Sequence, residues 1–449
     1  TPQQRSLSAW RSVQRKSGMP AVREARVLQI YFERQRVGHL LEEQDIWTLK
    51  YDVSWSRAAQ AFDLSPALPR HQLEHRDGST VRTVQWFFDN LLPEEHLREA
   101  VCREANVRDA FDVLRYLGRE SAGALTLLPP GEALPTDSAI VPLPDDALAR
   151  RIRNLPQQTL IRDAPKKMSA AGAQHKLLLV IKEGELFEPA GATPSTHILK
   201  PDHPDVEHYP ASAYNEFLTM RLARAAGLLV PDVILRRLPD DQAAVPVYII
   251  ERFDRLGSFP DTQRRHIIDA CQLLNISRTL KYSRASLGTL YEISTLSANP
   301  AATRFRLFRW LVFNVFLAND DSHLKNLSFV MTALGPELAP HYDLLSTSAY
   351  HTRALGTQDG PWPAVRMAIE LPGAARFNEV KLDSLIEAGK ALRLPAEAAA
   401  RIVNDVAKGI RKALASPELA PATPIEQRVF KVVDHMIVGE MAGRIMGMG

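Results

Sequence analysis

The segment Asp321-Ser322-His323-Leu324-Lys325-Asn326 gathers an acid, an imidazole, an ammonium and an amide in one short stretch. It follows Phe305–Ala318, the most apolar run of the chain, so a polar loop hangs on an element that must be buried. Phosphoryl transfer accounts for this set. A carboxylate that accepts a hydroxyl proton then stands five positions before an amide that holds magnesium, and Asp321 and Asn326 keep that spacing. The same chemistry needs a second metal-binding carboxylate from a following hairpin. Asp343, in His341-Tyr342-Asp343-Leu344, is the candidate. Without Asp343 the loop reads equally well as a solvated helix end.

Groups for a nucleotide lie upstream. Lys200 ends the apolar run His197-Ile198-Leu199 and precedes Pro201, so its ammonium emerges where a strand finishes. A strand lysine of this kind pairs phosphate oxygens and is oriented by a helical glutamate; Glu216 is the expected partner. Ala171-Gly172-Ala173-Gln174-His175-Lys176 is rich in small residues and runs into a strand, which lets backbone approach phosphates closely. Neither G-x-x-x-x-G-K-[ST] nor G-x-G-x-x-G occurs, which disfavours P-loop and dinucleotide-binding folds. Glu251-Arg252-Phe253-Asp254-Arg255 closes another apolar strand, where Phe253 could cover a base. Read singly, these are a surface lysine, a turn before a strand and a charged strand end.

The elements that must position these groups follow from pattern. Val27–Phe32, Val37–Leu41 and a strand around Ile46–Tyr51 predict a small antiparallel sheet. Beyond the punctuation of Pro66, Pro69 and Asp77-Gly78, Val84–Asn90 and Glu94–Ala105 carry helical spacing. Pro129–Pro144 reads as a linker. Strand signals return at Lys176–Ile181, His197–Lys200 and Val247–Glu251, around an amphipathic helix Ala213–Ala226 closed by Gly227. Past Asp261 the chain reads as helical, ending in a helical region from Leu382 to Met446. The expected division is a flexible arm over 1–22, an α/β subdomain over 23–135, a β-rich lobe over 150–258 and a helical lobe over 259–449.

Composition restricts the rest. With 45% hydrophobic and 24% charged residues among 449, the chain has an ordinary globular make-up. Its 55 basic and 52 acidic residues nearly cancel, leaving no global electrostatic reason to bind DNA or a membrane. Lys408, Arg411 and Lys412 form a local basic run, usually no more than a solvated face. Cys102 and Cys271 are too few for a disulfide framework or a cysteine zinc site. With no apolar run of about 18 residues and no secretory core at the start, a cytoplasmic protein without membrane contact is expected.

Taken in order, these blocks resemble the HipA family of toxin kinases from about Val27 to the C-terminal helices. The N-terminal module carries Val37-Gly38-His39-Leu40, Phe87-Phe88-Asp89-Asn90-Leu91-Leu92-Pro93-Glu94 and Gly123-Ala124-Leu125. The kinase body carries Ser169–Lys176, His197–Lys200, Asn215-Glu216, Glu251–Arg255, Asp269-Ala270-Cys271-Gln272, Asp321–Asn326 and Tyr342-Asp343. The resemblance implies an α+β, two-lobed protein-kinase-like fold with an enlarged β-rich N-terminal lobe and an all-helical C-terminal lobe. It implies Asp321 as catalytic base, His323 and Lys325 beside the transferring phosphate, and Asn326 and Asp343 as Mg²⁺ ligands. Lys200 would contact ATP. Glu251, Phe253 and Tyr342 would line its pocket with Ala171, Gly172, Ala173, Gln174 and Lys176. Ser169 matches the serine that family members autophosphorylate, on a loop whose order switches nucleotide binding, and Arg252 or Lys167 would receive the new phosphate.

The implied activity is a serine/threonine kinase toxin of a type II toxin–antitoxin module that acts on an aminoacyl-tRNA synthetase. A HipB-like helix-turn-helix antitoxin would restrain it, and operator DNA would be reached through that partner. A catalytically silent co-repressor and a small-molecule or lipid kinase are the alternatives. The sequence departs from the family at His175, where acidic residues are common, and at Ala318-Asn319-Asp320, where a glycine is frequent. Asp320 beside Asp321 leaves two candidate bases, of which Asp321 keeps the spacing to Asn326.

Overall fold

Apolar residues at alternate positions make the first sheet. The computed structural model describes residues 25–239, 244–356 and 360–447, so the arm expected over 1–22 lies outside the described residues. Strands β1 (Arg26–Phe32), β2 (Gln35–Glu43) and β3 (Ile46–Tyr51) form the antiparallel meander that their pattern predicts. With β4 (Glu74–Arg76) and β5 (Leu125–Leu128) they build a sheet of order β4-β3-β2-β1-β5. Gly38 marks a close approach, since a Cβ there would lie 2.1 Å from the Lys50 carbonyl oxygen. Leu28, Ile30, Leu40, Trp47 and Leu49 share one core with Phe88, Val101 and Phe111 of the helices Thr83–Asp89, Glu95–Ala105 and Ala110–Leu117. This module also grips the far lobe. Phe62 stacks on His266 at 4.3 Å, and His266 Nε2 donates to Leu64 O at 2.8 Å.

A second sheet has the order β10-β11-β9-β7-β8-β6. Its strands are β6 (Ser138–Pro142), β7 (Leu177–Lys182), β8 (Glu185–Gly191), β9 (His197–Pro201), β10 (Val233–Leu238) and β11 (Val245–Glu251). β6 corrects the reading of Pro129–Pro144 as a linker, because it pairs with β8 from Ser138↔Gly191 to Pro142↔Phe187. It is an edge strand with mostly exposed residues and a proline, and its apolar triplet Ala139-Ile140-Val141 lacks the alternation of a half-buried strand. The helix Ser212–Ala225 runs close to the expected span and ends at Gly227, whose φ of +79° suits a glycine.

After the short pair β12 (Arg255–Leu256) and β13 (Gln263–Arg264), the second lobe is built mainly of helices. They include Leu287–Leu296, Pro300–Phe316, Leu382–Ala391 and Ala396–Leu414. The two-lobed α+β architecture is as expected, with one correction to its all-helical C-terminal lobe. Strands β14 (Ile267–Asp269), β15 (Ser328–Thr332) and β16 (Gly335–Leu338) form a three-stranded sheet, and β17 (Arg366–Leu371) pairs with β18 (Ala374–Arg376). Strands this short give little period-2 signal. They matter for the site: β14 ends on Asp269, β15 begins just after Asn326, and β16 leads to Tyr342 and Asp343.

Candidate active site

The apolar helix Pro300–Phe316 ends against Leu317, and Ala318, at φ +46°, turns the chain out of it. Asn319 secures the loop that follows. Its Oδ1 accepts from Asp321 N at 3.1 Å and from Thr347 Oγ1 at 3.2 Å, while its Nδ2 donates to Asn314 Oδ1 at 2.7 Å. Asn326 Nδ2 donates to Asp321 O at 2.9 Å, closing the loop across its length. The two adjacent aspartates then part. Asp320 accepts from the Thr347 hydroxyl and lies 3.4 Å from His351 Nε2. The Asp321 side chain is 49% exposed and accepts a hydrogen bond from the Tyr282 hydroxyl, with His323 Nε2 3.9 Å away. Partial loss of water within the cleft, helped by the nearby Asp343 and Asp320 carboxylates, pushes the Asp321 carboxyl up to about 6.

His323 is held neutral, since burial pushes it down to about 4. Its ring stands edge-on to Tyr282 at 4.8 Å, and its Nδ1 is buried without a protein partner among the described residues.

Lys200 emerges from the end of β9 and donates to Glu216 Oε1 at 2.7 Å and to Asp343 Oδ1 at 2.6 Å. The expected lysine–glutamate pair is therefore formed. Asp343 sits in the left-handed region at φ +58°, which costs a non-glycine residue roughly 1–2 kcal/mol. Burial opposes its charge, but Lys200 and Lys176 hold its carboxyl down at about 2. Glu216, buried and close to Asp343, is pushed above the ordinary glutamate range.

The Ala171–Lys176 loop faces this cluster. Gly172 has φ +107° and accepts from Glu94 N at 3.0 Å, and Lys176 Nζ donates to Ala171 O at 2.6 Å. Burial, and then Lys200, lowers the Lys176 ammonium to about 8. Ser169, only 2% exposed, donates to Leu91 O at 2.5 Å. On the other side the rings of Phe253 and Tyr342 lie 5.6 Å apart at 28°, forming a flat wall beside Glu251. One cleft of about 640 Å³ is lined by every candidate site residue, a volume that suits a nucleotide. Lys408, Arg411 and Lys412 do not line it.

Three expectations are corrected here. Lys325 borders the cleft, but its ammonium is already matched by protein groups. It donates to Asn90 O at 2.9 Å and lies 3.1 Å from Glu94 Oε1 and 3.2 Å from Asp269 Oδ2. Arg252 is not available to a new phosphate. It is buried and bonded to Asp254 at 2.9 and 2.7 Å and to Ser195 Oγ at 3.0 Å, because a buried guanidinium must be matched. Lys167 caps the carbonyls of Ile161, Arg162 and Ala164.

Pattern reading also missed Asn90, Glu94, Asp269, Lys281 and Tyr282. Asn90 and Glu94 stand in a motif quoted only for its resemblance. Lys281-Tyr282 carries no local signal beyond a basic residue beside an aromatic one.

The comparisons with known proteins agree with this arrangement. The family model described as the HipA N-terminal domain matches residues 28–128, and the HipA-like C-terminal domain matches residues 168–414. A putative kinase of Sinorhizobium fredii, Y4mE, is 32% identical over 408 residues, covering 87% of this chain and 92% of the relative. The serine/threonine-protein kinase toxin HipA of Shewanella oneidensis is 32% identical over 327 residues, covering 68% of this chain and 71% of the toxin. The solved complex of Shewanella oneidensis HipA with HipB and its operator DNA superposes with a TM-score of 0.76 at 27% identity, over 94% of this chain and 97% of that one. Both modules that shape the cleft are thus matched by the family's own domains, and the chain belongs to the HipA family of serine/threonine-protein kinase toxins.

Proposed function

We propose that this kinase uses ATP and Mg²⁺ to phosphorylate a serine or threonine of a protein in translation, an aminoacyl-tRNA synthetase, and that it autophosphorylates on Ser169. The observation that carries the phosphoryl-transfer reading is Lys200 lodged between Glu216 and Asp343 in the cleft that also holds Asp321 and Asn326.

The residues fit a magnesium ion shared with phosphates. No group of three or more His, Cys, Asp or Glu side chains able to hold a metal occurs among the described residues, so protein ligands alone would not make a cage. Asn326 uses its Nδ2 on Asp321 O, which leaves Oδ1 as its ligand atom, and Asp343 is held ionised. Magnesium commonly takes one or two such ligands and completes its shell with phosphate oxygens and water. When bound, it neutralises charge on the phosphates. Lys200 pairs phosphate oxygens, and Phe253 with Tyr342 covers the base. Asp321 accepts the proton of the acceptor hydroxyl, for which a carboxyl near the operating pH is well tuned.

Ser169 has a physical reason to act as a switch. Its hydroxyl is buried against Leu91 O, so a phosphate carrying roughly −1.5 to −2 charges cannot return to that position. The phosphorylated loop would stay away from the nucleotide and silence the kinase. A HipB-like antitoxin as partner, with operator DNA reached through it, is supported by the likeness to the HipA–HipB–DNA complex. The free cysteines Cys102 and Cys271 suit action in the cytoplasm.

The test is γ-labelled ATP added to a cell lysate with the wild-type chain and with Asp321→Ala. An Asp321-dependent labelled synthetase supports the reading, and absence of any Asp321-dependent label defeats it. Mass spectrometry after incubation with ATP should find phospho-Ser169.

A further inference from the structure

The N-terminal module reaches into the cleft with a group that phosphoryl transfer itself does not call for. Glu94 is only 2% exposed, and its two carboxylate oxygens face different lysines of the helical lobe. Lys281 Nζ donates to Oε2 at 2.8 Å, and Lys325 Nζ lies 3.1 Å from Oε1. Lys325 belongs to the catalytic loop. Lys281 immediately precedes Tyr282, whose hydroxyl donates to Asp321, and the Lys281 carbonyl accepts from Leu324 N at 3.2 Å. The Glu94 backbone N–H, for its part, donates to Gly172 O of the loop on the phosphate side at 3.0 Å. One residue therefore touches both loops between which a phosphoryl group would pass.

The surroundings fix where that carboxylate sits. Asp89 is bridged to Arg98 at 2.6 Å and to Arg278 at 2.8 Å, and Gln272 Nε2 donates to Phe87 O at 2.8 Å. The segment is thus docked on the helical lobe by its own flanks. Charge explains why an acid is needed. Lys281 and Lys325 are two ammoniums in a confined space, Asp269 matches only Lys325, the exposed Glu95 carboxylate comes no nearer to Lys281 than 3.9 Å, and a poorly matched charge there would be expelled or would drag the loop with it.

We propose that Glu94 is a positioning residue for Asp321: it holds Lys325 and the Lys281-Tyr282 pair around the catalytic loop while its backbone anchors the phosphate-side loop. The N-terminal module is then a working part of the kinase. This rests on the phosphoryl-transfer reading above but not on the identity of the target.

The experiment uses the full chain and the lysate-labelling assay, with rates followed against ATP concentration and a fluorescent ATP analogue used for binding. Glu94→Gln should lower the maximal rate roughly ten- to hundredfold, leaving KM for ATP and analogue affinity within about twofold, as loss of alignment without loss of binding does. Glu94→Asp should regain part of the rate. A wild-type rate in Glu94→Gln, a raised rate, or a loss that resides entirely in ATP binding would overturn the proposal. If Glu94→Gln fails to fold, Lys281→Gln takes its place. The rate should then drop at least threefold with unchanged affinity, and no drop overturns the proposal. Failure of the kinase reading looks different, since the wild-type chain itself would then show no Asp321-dependent transfer.

Discussion

Two buried ion clusters in this molecule each set an Asp and a Glu against buried cations, but the supply of cations differs: two arginines and a lysine in one, a single bonded lysine in the other. Around Glu120, which is 0% exposed, stand Lys166 at 2.8 Å, Arg255 at 2.9 Å and Arg252 at 3.4 Å. Asp254 takes both guanidiniums at 2.7 and 2.8 Å and accepts from Gly123 N. Burial opposes charge there, yet the cations prevail: Glu120 stays well below the ordinary carboxylate range and Asp254 lies at about 2.

In the cleft, one ammonium is bonded to Glu216 and Asp343 together, while Lys176 donates to Ala171 O and acts on Asp343 only through its charge. The first cluster has its carboxylates fully matched and joins the N-terminal module to the β-rich lobe. The second is short of positive charge and open to the cleft. Full matching makes a joint, and under-matching makes a receptor for a cation-bearing ligand.

The largest effect expected from this contrast is catalytic. Lys200→Met and Asp321→Ala should each lower labelled transfer by about 10³-fold or more, and the melting temperature of Asp321→Ala should stay within a few degrees of wild type. A drop below tenfold would remove the cleft cluster from the chemistry.

Next in size is the joint. Glu120→Gln leaves buried cations unmatched and should cost about 3–5 kcal/mol in urea unfolding, whereas Glu216→Gln should cost under about 1 kcal/mol and weaken ATP binding. Equal losses of stability would erase the distinction. Third, ATP with Mg²⁺ at about a hundred times its Kd should stabilise the wild-type chain by about 2.7 kcal/mol, read as a thermal shift. Lys200→Met should abolish that shift.

The smallest effect is the response to pH, where the buried glutamates of the two clusters, Glu120 and Glu216, carry opposite signs. Glu120 and Asp254 ionise at lower pH in the folded chain than in the unfolded one. Their contribution is complete above the ordinary carboxylate range and is lost as the pH falls below it, toward about 2 for Asp254. Glu216 keeps its proton longer when folded, so its contribution declines as pH rises through the ordinary glutamate value. Unfolding of Glu216→Gln should therefore gain on the wild type between about pH 4 and 7. A gap that stays constant with pH would contradict this assignment.

The polar loop after the buried helix and the helix over Ser212–Ala225 were legible because each rests on local spacing, and the Lys200–Glu216 pair because a strand-end lysine calls for a helical glutamate. The edge strand Ser138–Pro142 was not, since exposure deprives it of apolar alternation. Glu94 and Lys281 stand 187 positions apart, and nothing local in a single chain announces such a pairing. Arg252 was misjudged for a related reason. A charged strand end reads as solvated until its partners Glu120 and Ser195, contributed by distant segments, are seen to enclose it.

The stacking of Phe62 on His266 has a consequence in time. The N-terminal module is synthesised first, but the ring that completes this part of its surface, and bonds to Leu64 O, lies 202 positions later. At about 5–20 residues per second a ribosome needs roughly 10–40 s to supply it. A nascent chain therefore holds an unfinished module until the catalytic half has begun to emerge. The order of synthesis itself thus defers completion of the N-terminal module until the helical lobe is under way.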